Sequence, residues 1–145
     1  MKLIIQRVSQ AKVAVDNQTI SSIGKGLFVL VGVKEGDISD QAKVLAEKLA
    51  KLRVMADGAG KMNLTVSDVN GEMLAVSQFT LYADTSGGNR PSFIQAARPE
   101  VAQPIYEKLV EELKNLGVKV QTGKFGEYME ISATLDGPVT IIMES

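Results

Sequence analysis

The run Gly26-Leu27-Phe28-Val29-Leu30-Val31-Gly32-Val33 contains no polar side chain. It has the length of a strand, and an unbroken apolar run of that length predicts a strand covered on both faces. The flanking residues supply partners for it. Upstream, KLIIQRVSQAKVAVD (Lys2–Asp16) mixes β-branched with polar residues and alternates in part from Ala11 onward. The segment DNQ then predicts a turn, and TISSIG leads back as the second arm of a hairpin. Downstream, Ser39-Asp40 predicts a helix cap, with the helix starting near Gln41. Its apolar positions Ala42, Leu45, Ala46, Leu49 and Leu52 follow the i, i+3, i+4, i+7 spacing.

Farther along, RVMADGAGKMNL reads as a short strand, a glycine-rich turn and a return, and Asn70-Gly71 marks a turn before the strand EMLAVSQF (Glu72–Phe79). A polar loop from Thr80 to Pro91 follows. A second helix ends near Leu116 before Gly117, with the stripe Val101, Ile105, Leu109, Leu113 and Leu116. Pro104 predicts either the start of that helix or a kink in it. Two last strands, about Tyr128–Thr134 and Val139–Met143, enclose the turn signal LDGP. Strand content dominates and the two helices lie far apart in sequence. The expected fold is therefore α+β: an antiparallel or mixed sheet, barrel-like, with two main helices packed against it, residues 1–145 forming a single domain.

Composition narrows the chemistry. The chain has 145 residues, a net charge of −1, and neither histidine nor cysteine. A near-neutral protein has no global field to draw in a long nucleic acid, so coating of DNA is not expected, whereas gripping the end of an RNA needs few phosphate contacts. Disulfides, thiolate chemistry, imidazole-bound zinc and Ser-His-Asp arrangements are excluded outright. No Walker A or GxGxxG motif occurs, and DGAGK (Asp57–Lys61) is too poor in carboxylates for a calcium loop. The apolar start, Leu3–Ile5, is too short for a signal peptide or a membrane span, so a cytoplasmic location away from membranes is expected.

Two stretches stand out chemically. In SQFTLYADTSGGNRPSF (Ser77–Phe93) a strand ends at a loop rich in hydroxyl, amide and guanidinium groups. Backbone N–H groups released there could serve as an oxyanion hole, which needs no titratable side chain. The same residues also read as a plain strand end, with Phe79 in the core and Thr80 capping a turn. In DGPVTIIME (Asp136–Glu144) the Gly137-Pro138 pair is either a simple hairpin turn or, were its peptide bond cis, a rigid wall poor in side chains.

Taken together, SQFTL (Ser77–Leu81), NRPSF (Asn89–Phe93), TGKFGEYM (Thr122–Met129) and GPVT (Gly137–Thr140) resemble the D-aminoacyl-tRNA deacylase family in order and rough spacing, and IIQRV (Ile4–Val8) resembles its first strand. The resemblance implies a cofactor-free homodimer that binds the 3′ end of aminoacyl-tRNA and hydrolyses the ester to a D-amino acid, with glycine mischarged on tRNA(Ala) as a further substrate. It implies a pocket at Ser77, Gln78, Phe79 and Thr80, with Thr80 as the candidate catalytic or positioning side chain. It also implies that Gly137 and Pro138 enter from the partner subunit to exclude L-amino acids, supported by Arg7. Phe125 and Met129 match positions near the terminal adenosine and the aminoacyl group. Leu135 stands where the family commonly has Asn. Two other readings are kept: an editing domain for a wrong L-amino acid, and a non-catalytic dimeric module binding amino acids or nucleotides.

Overall fold

A computed structural model describes residues 1–145. Strand β1 (Lys2–Val15) is its long axis. Strands β2 (Gln18–Ile23) and β3 (Gly26–Gly32) both pair antiparallel with β1, β3 along its first half and β2 along its second. Helix α1 spans Ser39–Ala50. A small hairpin of β4 (Met55–Ala56) and β5 (Met62–Leu64) follows. Strand β6 (Glu72–Ser77) lies parallel to β3, and after helix α2 (Pro99–Asn115) strand β7 (Lys119–Thr122) lies parallel to β6. Strand β8 (Glu130–Glu144) pairs antiparallel with β1 along the edge opposite β2 and β3.

The sheet order β2-β1-β3-β6-β7 is thus mixed and bends almost into a barrel. The Ser21 hydroxyl on β2 donates to the Thr122 carbonyl on β7 at 2.6 Å, which joins the two ends of that order. The central strands serve two cores, as their continuous apolar runs require. Leu27, Val29, Val31, Met73 and Ala75 face the helices, while Phe28, Leu74 and Val76 face the barrel interior. The partial alternation of β1 also has a cause. Ser9 is an extra residue between the pairs Val8–Leu135 and Gln10–Thr134. One inserted residue shifts the period-two pattern, which places Val8, Ala11 and Val13 together on the interior face.

Several boundaries differ from the sequence reading. Ile38 caps α1, one residue before Ser39-Asp40, because its N–H donates to the Gln41 side-chain oxygen at 2.7 Å. Helix α2 starts at Pro99, so Pro104 lies inside it, where its missing N–H leaves the Glu100 carbonyl without an intrahelical donor. The buried face of α2 is Ala102, Ile105, Tyr106, Leu109, Val110 and Leu113; Val101 and Leu116 are 43% exposed. Strand β7 is absent from the sequence reading: KVQT is only four residues long, and its alternation is short.

The largest correction concerns the last strands. LDGP is no hairpin turn, and β8 is one strand. Because β1 is 14 residues long, it offers partners to both halves of β8, and neither half folds back on the other. Four residues, Asp136–Val139, stand between the partners of Gln6 and Val8 and bulge opposite Arg7.

Candidate active site

Beyond the end of β6 the chain leaves the sheet. The Gln78 N–H still donates to the Val31 carbonyl (2.8 Å), and Phe79–Tyr82 then coil into a 3-10 turn. The first N–H groups of such a turn have no partner inside it, so those of Phe79 and Thr80 are available to a ligand. The chain returns through a loop pinned by two reciprocal backbone hydrogen bonds between Asp84 and Ser92, both 2.8 Å. That pinning sets Phe93 edge-on against Phe79, with ring centroids 5.1 Å apart. Phe79 is 55% exposed and forms a wall of a cavity; it is not a core residue.

The cavity has a volume of about 680 Å3. Ser77, Gln78 and Phe79, at the end of β6, and Phe125 and Met129, beyond β7, all line it. A cavity of this size, largely apolar with a few polar groups, has the character of a small-molecule site. Phe93, Tyr128 and Ile131 line it as well and were not singled out from the sequence. An aromatic two residues after Pro91 in a polar loop was the signal available for Phe93. Thr80 does not line the cavity; it sits exposed at the rim, its hydroxyl oxygen accepting from the Gln78 side-chain amide at 2.6 Å. Glu127 is the one acidic side chain among the lining residues. No three acidic side chains converge anywhere in the chain to hold a metal ion.

Arg7, Gly137 and Pro138 form a second assembly that does not touch this cavity. The Arg7 side chain is 11% exposed. Its Nε donates to the Asp136 carbonyl (3.1 Å) and pairs with the Asp136 carboxylate (3.0 Å), and Nη1 donates to the Val54 carbonyl (2.9 Å). One guanidinium thereby holds the bulge on β8 against the segment after α1. The Gly137–Pro138 peptide bond is cis. Gly137 has φ +136°, a region side chains rarely adopt, and a Cβ there would lie 2.8 Å from the Val139 nitrogen.

A family model described as D-Tyr-tRNA(Tyr) deacylase matches residues 4–144. A D-aminoacyl-tRNA deacylase of Roseiflexus castenholzii is 52% identical over 145 residues, covering 100% of this chain and 92% of its own. Among solved structures, one described as "c-Myc DNA Unwinding Element Binding Protein" superposes with a TM-score of 0.93 at 39% identity, covering 100% of this chain and 99% of that one. Another, described as a probable eukaryotic D-amino acid tRNA deacylase, superposes with a TM-score of 0.86 at 14% identity, covering 98% and 97%, a likeness of fold alone.

Proposed function

The chain belongs to the D-Tyr-tRNA(Tyr) deacylase family, and from that premise we propose that it hydrolyses the ester between a D-amino acid and the 3′ end of tRNA. The observation that carries this reading is the convergence of Ser77, Gln78, Phe79, Phe125 and Met129 on one cavity. Its rim carries the Phe79 and Thr80 N–H groups at the start of the 3-10 turn. Two such donors stabilise the charge that develops on an ester carbonyl oxygen and need no histidine or cysteine. The terminal ribose of the substrate supplies the assistance the side chains lack. Its free 2′-hydroxyl, next to the ester, orients a water molecule that attacks the carbonyl carbon. The bond from that carbon to the 3′-oxygen breaks, the 3′-oxygen takes up a proton from the water and leaves as a hydroxyl, and the water oxygen stays in the carboxylate of the released amino acid.

Chirality is judged in this reading by main-chain atoms. Gly137 and Pro138, held by Arg7, approach the cavity of a second subunit and occupy the space an L side chain would need. Two features support a second subunit. Strand β8 pairs along one edge only, which leaves a long edge open to another chain. Its Ile131, Leu135 and Ile142 are also exposed. A filter that rejects by the position of a side chain cannot reject glycine, so glycyl-tRNA passes it.

The test is to incubate metal-free protein with tRNA charged with D-tyrosine or with L-tyrosine and to follow loss of the ester. Release of D-tyrosine alone is expected. Cleavage of the L-ester as well would remove the chiral filter, and cleavage of neither by folded protein would leave the binding-module reading.

A further inference from the structure

Tyr106 lies outside the cavity, is 4% exposed, and has a polar atom directed at the strand that carries the site. Its hydroxyl donates to the Ala75 carbonyl at 2.9 Å, two residues before Ser77. The same carbonyl accepts the Gly123 N–H at 3.0 Å. The β6–β7 ladder ends here, since Ala75–Thr122 is its last pair. Beyond it the chain peels away to carry Phe125 and Met129 into the lining of the cavity. The Tyr106 ring also packs against Phe125, with centroids 6.0 Å apart. Gly123 leaves room for this departure, because a Cβ there would stand 2.6 Å from the Met129 sulfur and 3.3 Å from Val76. That sulfur in turn accepts the Lys124 N–H at 3.4 Å. Burial pushes the Tyr106 phenol well above its ordinary value, so it remains a donor throughout the neutral range.

We infer that the Tyr106 hydroxyl is a latch that fixes the spacing between the Ser77–Phe79 wall and the Phe125–Met129 wall of the cavity, and that Tyr106 is a positioning residue for the deacylation. One carbonyl oxygen ties α2, β6 and the departing loop together. Losing the phenolic donor leaves the strand and the Gly123 bond in place and frees the Tyr106 ring, and Phe125 packed on it, from β6. Side chains that hold an ester in reach of fixed N–H donors tolerate little displacement, and an ångström costs on the order of a hundred-fold in rate. The assignment rests on the deacylase reading of the cavity.

Tyr106→Phe keeps the ring against Phe125 and removes only the donor. Val66→Ala, a core change beside Gly71 that lines no part of the cavity, serves as the control for lost stability. The expected result is about tenfold slower cleavage of D-tyrosyl-tRNA at saturating substrate in Tyr106→Phe, with KM within about twofold. The Met129 methyl resonance should shift or broaden in the same variant. Val66→Ala should lower the melting temperature with no change in kcat. Cleavage by Tyr106→Phe at the parent rate, or a slowing no greater than that in Val66→Ala, would overturn the assignment. If the parent protein cleaves nothing, the deacylase reading falls by itself. The latch then stands or falls on the Met129 resonance, and an unchanged signal refutes it.

Discussion

Gly137 and Thr80 mark two kinds of site residue. Thr80 offers an exposed hydroxyl already accepting a hydrogen bond from Gln78, and in the proposed reaction the main-chain donors nearby do not depend on it. Gly137 offers the lack of a side chain, at a φ and in a space where a Cβ meets the Val139 nitrogen and side chain and approaches Arg7. Gly137→Ala is therefore expected to reduce D-tyrosyl-tRNA cleavage more than Thr80→Ala does, measured as initial rates at equal enzyme concentration; similar losses would refute this. Arg7 is the third case. Lysine retains the charge and cannot reproduce the Nε bonds to Asp136 together with the Nη1 bond to Val54. Hydrogen bonds to charged groups contribute about 1.5–3 kcal/mol each, so Arg7→Lys should lose stability of that order in urea unfolding. Its selectivity for the D-ester should also fall.

At the scale of elements, the face of α2 decides which side chains hold the two helices to the sheet. Ile105 and Leu109 are buried in the core shared with Ala42, Leu45, Ala46 and Leu49 of α1. Their replacement by alanine should cost about 2–5 kcal/mol. Val101→Ala and Leu116→Ala, on half-exposed positions, should change stability by no more than about 0.5 kcal/mol. Denaturant melts of the four variants distinguish this face from the stripe that the spacing alone suggests. Ile105, Leu109 and Leu113 of the stripe are buried, and the buried face widens to Ala102, Tyr106 and Val110, with Tyr106 turned to Ala75 of β6 and to Phe125. Helix periodicity was legible in the residues; the width of the buried face, set by what packs on it, was not.

For the whole molecule, two consequences can be measured. Tyr82 sits at the end of the 3-10 turn beneath Lys2, whose ammonium lies 5.2 Å from the ring centroid. Its phenol is pushed up to about 12, first by burial and then by the Asp37 and Glu144 carboxylates. The folded value exceeds the unfolded one of 10.0, so the unfolded chain loses this proton first. The contribution to stability is complete below pH 10 and is lost as pH rises toward 12. Tyr82→Phe should flatten the decline of the melting temperature over that window; an unchanged slope would refute the assignment. The second consequence is assembly. With the open edge of β8 taken up by a second copy, sedimentation should give twice the 15.6 kDa chain mass. Activity per chain should then fall on dilution below the dissociation constant. Full activity in a species of single-chain mass would overturn the cross-subunit filter.

Local composition was enough to determine much of this protein. The apolar run at Gly26–Val33 specified a strand covered on both faces. The absence of histidine and cysteine removed imidazole and thiolate chemistry, and the SQFTL and GPVT segments marked a side of the cavity and the cis Gly-Pro bulge. These are properties of short stretches, which period and residue type encode directly. Pairing across long separations was not encoded so locally. Only the tertiary structure decided that β8 is one strand, because whether Asp136–Val139 turns or bulges depends on the length of β1, more than a hundred residues away, and on Arg7 filling the gap. Likewise, Phe79 became a cavity wall because the Asp84–Ser92 pairing sets Phe93 edge-on against it and the parallel pairing of β6 and β7 brings Phe125 and Met129 to the same cavity. Side-chain type set what each segment could do, and the register between distant strands set which segments met.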